Sequence, residues 1–452
     1  SLNSTIEGIL ENEDIDYYLV EAKKGQRISA EVEGIRLGNS FYDPYLAIMN
    51  MDRFELSASD DTALLLQDST TSIVAPEDGK YVILIRESSY TGNGSCRYRL
   101  HVGSFPRPIA VYPAGGQKGT ELNLNLIGDP IGKSELTVKL PESGASEYKI
   151  FSQSDDLLSP SPNKLRVSNY PNAMEVEPND NRAQSTIVKA PLPIAFNGII
   201  NKDGDHDWFK FTAKKGQRFI FRAHAKSISS PLDPVVNLFG PDNKQITAND
   251  DADNKQDSKI DFTAAVDGEF TIRIRDHLGK GGDNYIYRIE SEPVSPSLAL
   301  TIPYFGRADY QSRQMIYVAK GNRFVTRINA ARSNFGGDLV FDANDLPQGI
   351  KLISHGMNSS INTGLISFEA SQDAPIGGKL INLVARHADS KKYISGHFSQ
   401  PLDFVLGAPN NTVYYKSNAD KLAVAVVEEI PFKLNIIAVS YTHLTLPTKR
   451  IV

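Results

Sequence analysis

The feature that most limits what this chain can fold into is that it repeats itself. Residues 14–28 read DIDYYLVEAKKGQRI and residues 205–219 read DHDWFKFTAKKGQRF. In the same frame Asp43-Pro44 answers Asp233-Pro234, Asp60-Asp61 answers Asp250-Asp251, and Gln67-Asp68-Ser69 answers Gln256-Asp257-Ser258. Further on, Glu77-Asp78-Gly79-Lys80-Tyr81 answers Val266-Asp267-Gly268-Glu269-Phe270, and Tyr98-Arg99 answers Tyr287-Arg288. The offset drifts only from 191 to 189, so two copies of one unit of about 100 residues are expected. Solenoid repeats run at ~20–50 residues, which makes this a duplicated domain instead. An enzyme rarely needs its active domain twice, whereas a binding or spacer module often does.

Each copy is rich in strand signals. RISAEVEGI (27–35), KYVILIRE (80–87), RYRLHVG (97–103), RFIFRAHA (218–225), EFTIRIRD (269–276) and YIYRIES (285–291) alternate apolar with polar residues between Gly, Pro, Asp and Asn clusters. That is the pattern of half-buried antiparallel strands. No segment sustains a capped helical period, so the expected fold class is all-β, a tandem of sandwich domains.

With 452 residues the chain has room for three or four domains. A net charge of −6 gives no basic stripe for nucleic acid, and no apolar run approaches the ~18 residues of a membrane span. The single cysteine, Cys96, excludes an intramolecular disulfide and a cysteine-based zinc site. The chain enters its first repeat within a few residues of Ser1, whereas the second repeat has a leader of about twenty, so the protein is expected to be longer. Residues 439–452, VSYTHLTLPTKRIV, resemble translated sequencing-adapter read-through and are set aside.

The repeat resembles the bacterial pre-peptidase C-terminal domain family, a β-sandwich module of secreted peptidases and large surface proteins. The residues that carry the resemblance are EVEPND (175–180), GDHDWFKFTAKKGQ (204–217), LDP (232–234), NDD (249–251) and DGEFTIRIRD (267–276). The first copy lacks the EVEPND leader and has Tyr17 in place of Trp208. Segment 105–128 is similar to small TIG-type immunoglobulin-like modules, and the whole looks like exported multi-domain proteins of planctomycete-type bacteria. The expected domains are residues 1–103 (first repeat), 104–169 (small TIG-like), 170–293 (second repeat with acidic leader) and 294–406 (immunoglobulin-like). Residues 407–438 are expected to begin a further β domain.

The acids cluster in the second copy. Glu175, Glu177, Asn179 and Asp180 lie in the leader; Asn201, Asp203, Asp205 and Asp207 stand at alternate positions before Trp208. In an extended segment alternate side chains share a face, which would converge four oxygen-bearing groups. Ca²⁺ takes six to eight oxygen ligands and tolerates irregular loops. The resemblance implies calcium at Glu175, Glu177, Asn179, Asp180, Asp205 and Asp207, and Asp203 joins the expected set as part of the ladder. The same acids also read as a strand start after a Gly204 turn, with a solvated leader. The spacing is not that of an EF-hand. In the first copy only Asp14 and Asp16 survive, with Asn12 opposite Asp203.

Other motifs carry less. Asn249-Asp250-Asp251-Ala252-Asp253 suits a turn or a second metal site, and Trp208, Phe209 and Phe211 with Tyr17 and Tyr18 suit core aromatics or an exposed platform. GDPIGKS (128–134) is one residue short of a phosphate loop. No HExxH or GxSxG occurs, and the histidines are scattered. The expectation is a non-enzymatic, secreted or cell-surface bacterial protein whose partners are extracellular protein or polysaccharide. The alternative is the accessory region of a secreted peptidase or other hydrolase whose catalytic domain lies elsewhere.

Overall fold

The computed structural model describes residues 2–144, 146–252, 256–303, 315–408 and 412–432. The expected tail, 439–452, the residues from 433 on, and Asp253 of the second acidic run lie outside them. The fold is all-β, as the alternation predicts. Two compact units form: Ser1–Val294 with Phe404–Tyr415, and Ser295–Asp403 with the residues from Lys416 on.

The first module runs through β1 (Ser4–Ile9), β2 (Ile15–Ala22), β3 (Arg27–Glu33), β4 (Pro44–Met49), β5 (Glu55–Ser59), β6 (Thr70–Val74), β7 (Gly79–Glu87) and β8 (Arg97–Gly103). These form two antiparallel sheets, ordered β1-β8-β3-β6 and β2-β7-β4-β5. Their inner faces enclose a core that includes Leu10, Ile28, Val32, Leu46, Ile48, Ile83, Ile85 and Leu100. The small module follows with β9 (Ala110–Tyr112), β10 (Gly115–Gln117), β11 (Glu121–Ile127) and β12 (Ser134–Lys139). It continues through β13 (Glu147–Ile150), β14 (Gln153–Ser154), β15 (Leu157–Leu158) and β16 (Asn163–Ser168) around its own core of Val111, Leu124, Leu140, Leu165 and Val167.

The second module comprises β17 (Asn172–Met174), β18 (Thr186–Ile187), β19 (Ala195–Ile199), β20 (Asp207–Ala213) and β21 (Arg218–His224). It is completed by β22 (Pro234–Phe239), β23 (Gln245–Asn249), β24 (Lys259–Thr263), β25 (Gly268–Asp276) and β26 (Ile286–Pro293). Its sheets are ordered β17-β19-β26-β21-β24 and β18-β20-β25-β22-β23. Removing β17 and β18 leaves the strand order of the first module. Those two strands belong to the leader and pair in parallel with β19 and β20. An aromatic core of Phe196, Phe209, Phe211, Phe221, Phe262 and Phe270 fills the space between the sheets.

Both repeats dock on the small module through buried charge. On one side Arg107 Nε lies 3.1 Å from Glu31 Oε2, and Arg27 lies 3.0 Å from Asp129. On the other, Arg166 Nη2 lies 3.1 Å from Glu290 Oε2, and Arg288 donates to Ser168 Oγ at 3.0 Å. Ala110, Ala114 and Ile127 also pack against Ile228 and Ile286.

The last unit contains β27 (Ser297–Thr301), β28 (Met315–Ala319), β29 (Arg323–Ser333), β30 (Leu339–Asn344), β31 (Ile350–Ile353) and β32 (Thr363–Ala370). It goes on with β33 (Gly377–His387), β34 (Ser395–Phe398) and β37 (Leu422–Val427), while β35 (Gln400–Gly407) and β36 (Thr412–Ala419) pair, among the described residues, only with each other and their residues 404–415 count with the first unit. One expectation is corrected here. Within the stretch expected to begin a further domain, β37 instead pairs with both β28 and β33 and buries Leu422, Val424 and Val426 in this unit's core. An alternating strand reads alike whether it starts one domain or closes another.

Candidate metal centre

The leader brings its acids onto the start of β20. Asn179 C=O accepts the Trp208 N–H at 3.1 Å, which ties the leader alongside the strand. Glu175 Oε1 accepts the Ile199 N–H at 2.9 Å, and Glu177 Oε2 accepts the Asn179 N–H at 2.9 Å. Asn201 Nδ2 donates to Glu177 Oε1 at 2.8 Å, pinning the leader to the turn before β20. As a result, Glu175, Glu177 and Asp207 present carboxylate oxygens within 4.8 Å of one another.

Asp207 is fully buried, and Tyr287 Oη donates to its Oδ2 at 2.7 Å. Burial, and then the Glu175 carboxylate beside it, push the Asp207 carboxyl far above the usual range. Burial pushes the Glu175 carboxyl up as well. Among the described residues no lysine or arginine forms an ion pair with either group. Next to this pair, burial and then the neighbouring Asp180 carboxyl raise the Asp205 carboxyl above its ordinary range. Asp205 is also held by the Asn201 N–H at 2.7 Å and the His206 N–H at 2.9 Å, while Lys202 Nζ stands 3.3 Å from Asp180.

Asn179 tests whether these residues fit a cation. Its side-chain amide reaches a point 3.1 Å from both Glu177 Oε2 and Asp207 Oδ1. Turned nitrogen-first it donates to both carboxylates; turned oxygen-first it makes three oxygens face one point, which a cation reconciles. The donor set is oxygen throughout, the chemistry of a hard divalent ion such as Ca²⁺. The residues fit.

Of the seven expected site residues, Glu175, Glu177, Asn179 and Asp207 meet, and Asp205 and Asp180 lie beside them. Asp203 does not: it sits on an exposed turn, bound by Lys280 Nζ at 2.9 Å and the Gly281 N–H at 3.1 Å. The alternating ladder is also corrected. Residues 201–206 form a turn, with Gly204 at a φ of 79°, and the strand begins only at Asp207. The acids converge because the leader folds over the turn, not because they alternate along a strand. Trp208 is buried against Phe239 at 5.0 Å, so the second module presents no open platform there, while Tyr17 is 55% exposed in the first.

Two features escaped the sequence reading. In sequence Tyr287 stands only as a repeat match of Tyr98, yet its hydroxyl donates to Asp207 and closes the site. The other acidic group among the described residues, His224 with Glu290 and Glu292, has no sequence signal because His224 is more than sixty positions from the two glutamates. There Arg288, Arg166 and Arg222 already neutralise the carboxylates, so it is an ion-pair network.

In comparison with known proteins, a family model described as the bacterial pre-peptidase C-terminal domain matches residues 205–276, from the site turn to the end of β25. Over 99 residues, 22% of the chain, the sequence is 33% identical to a probable subtilase-type serine protease of Deinococcus radiodurans. The chain spans only 14% of that protein's length. A solved pre-peptidase C-terminal domain of a Bacillus anthracis collagenase aligns at 12% identity over 24% of this chain and 98% of its own, with a TM-score of 0.20. A periplasmic lysozyme inhibitor from Aeromonas hydrophila aligns at 14% identity over 22% of this chain and 86% of its own, with a TM-score of 0.17.

Proposed function

We propose that this chain is a non-catalytic, exported array of β-sandwich modules, with two copies of the pre-peptidase C-terminal domain around a small immunoglobulin-like one. Its role is to bind extracellular protein or polysaccharide, or to hold a neighbouring domain in place, with Ca²⁺ stiffening the second module. The observation that carries the calcium reading is the meeting of Glu175, Glu177, Asn179 and Asp207 around buried, uncompensated charge. Glu175 and Glu177 would hold the ion from the leader, Asp205 and Asp207 from the turn and strand, with Asn179 and Asp180 between them. Bound there, the cation would supply the positive charge that the buried carboxyls lack. The leader would then be fastened to the sandwich through ion and hydrogen bonds together.

Ligand binding to the native state adds RT ln(1 + [L]/Kd), about 2.7 kcal/mol at a hundredfold excess over Kd. Thermal melting of the whole chain is therefore expected to shift upward in millimolar CaCl₂ and to return with EDTA. Asp207→Ala should remove the calcium-dependent part of the shift. A melting curve indifferent to both reagents would sink the calcium reading while leaving the spacer role standing.

A second reading, the accessory region of a secreted peptidase, is favoured by the stretch of 33% identity to the probable subtilase-type protease. Sequencing the complete gene tests the second reading, which requires a catalytic domain on the same chain and falls without one.

A further inference from the structure

A cleft of about 400 Å³ lies within the first compact unit, lined by residues of the first, small and second modules. Small-molecule sites span ~300–1,000 Å³. Its largest wall is the edge of the first module formed by β5, β6 and the turn between them. β5 and β6 are the last strands of their sheets, at the edges away from β2 and β1, as β23 and β24 are in the second module.

That wall is rich in hydroxyls. Thr71 Oγ1 donates to Ser57 Oγ at 2.6 Å, and the Ser59 and Thr62 hydroxyls share a hydrogen bond of 3.2 Å. The fold does not require them. By register Thr70, Thr71 and Ser72 stand opposite β3 as Lys259, Ile260 and Asp261 stand opposite β21. The second copy thus keeps the strand with no hydroxyl at those three places.

Arg107 of the small module adds charge to the same cleft. It is 1% exposed, and two of its three nitrogens are engaged. Nε lies 3.1 Å from Glu31 Oε2, and Nη1 donates to the Ser161 C=O at 2.6 Å. Nη2 has no hydrogen-bond partner among the described residues. A buried guanidinium N–H left unpaired is costly, and an acceptor held in the cleft would remove that cost.

We propose that the cleft holds an acidic sugar unit, with its carboxylate on Arg107 Nη2 and its hydroxyls on Ser59, Asp61 and Asn284. None of the described residues lining the cleft is aromatic, so a neutral sugar finds no ring to stack on. A carboxylate gains a charge-assisted hydrogen bond instead, roughly twice as strong as a neutral one. This inference rests on the binding role proposed above and narrows its polysaccharide ligand to uronate-bearing chains.

Calorimetric titration of the whole chain with trigalacturonate tests it, in EDTA so that no metal contributes. Saturable binding at submillimolar ligand is expected, with the neutral trisaccharide of galactose at least tenfold weaker. Ala63 and Asn284 line the cleft from two different modules, and Ala63 is exposed. Ala63→Trp and Asn284→Trp fill the space and should each weaken binding at least tenfold at an unchanged melting temperature. Ile187→Trp, at an exposed residue outside the cleft, should change nothing. Equal affinity for the neutral trisaccharide overturns the proposal. So does inorganic phosphate displacing trigalacturonate at equal concentration, which would mark a general anion site. Absence of binding up to millimolar trigalacturonate overturns it as well. Cosedimentation with pectin and with cellulose reads the broader role separately: pelleting that both cleft variants leave intact sinks the cleft and keeps that role.

Discussion

Tyr287 reaches Asp207 only because residue 198 is glycine: a Cβ there would sit 2.2 Å from Tyr287 Oη and 2.2 Å from Glu175 Oε2. Tyr287 is wholly buried and cannot swing aside. Gly198→Ala should therefore cost about 1–3 kcal/mol by overpacking, read as a lower urea midpoint, and should weaken the calcium response with it. Other matched residues of the repeat prove to be fold chemistry at the same scale. Asp68 Oδ1 accepts the N–H groups of Gly34 and Ile35, and Asp257 does the same for Ala225 and Lys226. Asp78 and Asp267 each bond the N–H of the second lysine in the Lys-Lys-Gly turn, at 2.8 and 2.6 Å. Asp60 and Asp250 accept the N–H of the next residue, as turn residues do. These roles were legible in sequence because each is local or recurs in both copies. Tyr287 was not, because its partner is 80 positions away.

Strands of five or more residues announce themselves by alternation, and the long ones here match the segments read from the sequence. The leader strands did not, since β17 has three residues and β18 two, too few for any period to show. Their hold on the module comes from tertiary packing, with Val188 entering the core beside Leu192 and Ile194. The charged seam on β26 was equally silent. Burial raises the Glu290 carboxyl, but the neighbouring His224 imidazole and the Arg288 and Arg166 guanidinia outweigh it and hold the group well below its ordinary range. A depressed carboxyl gives stability that is full above its unfolded pKa, about 4.3, and is lost as pH falls below that value. Glu290→Gln should leave Arg288 buried and uncompensated, at a cost of about 3 kcal/mol near neutral pH. The difference between the two proteins should shrink as pH is lowered from about 5, and chemical denaturation across that range measures it.

The first module, the small module and the second module form one compact unit, joined by buried side chains: Glu31 and Arg107 on one seam, Glu290 and Arg288 on the other. Breaking such a seam from one side strands a buried charge, which couples the unfolding of neighbours. Calorimetry of the whole chain is expected to resolve fewer transitions than there are modules. Arg107→Ala, which strips Glu31 of a partner, should lower the melting temperature of the first module and split its transition from the rest. A thermogram unchanged by this substitution would mean that the modules melt independently.

What the sequence by itself determined is the repeated framework: strand alternation, turn residues and the Asp and Gly positions that each copy needs locally. These are short-range properties, set by backbone geometry within a few residues. Only the tertiary structure decided which acids meet, that Asp203 stays outside, that β37 joins the sheet of the last unit, and that the leader of the second repeat adds β17 and β18 to its sheets. Each of those depends on segments distant in sequence coming into contact, and neither periodicity nor spacing encodes such contacts. The acidic cluster is the sharpest case, because its carboxylates come from a leader and a turn that are brought together only when the sandwich has formed.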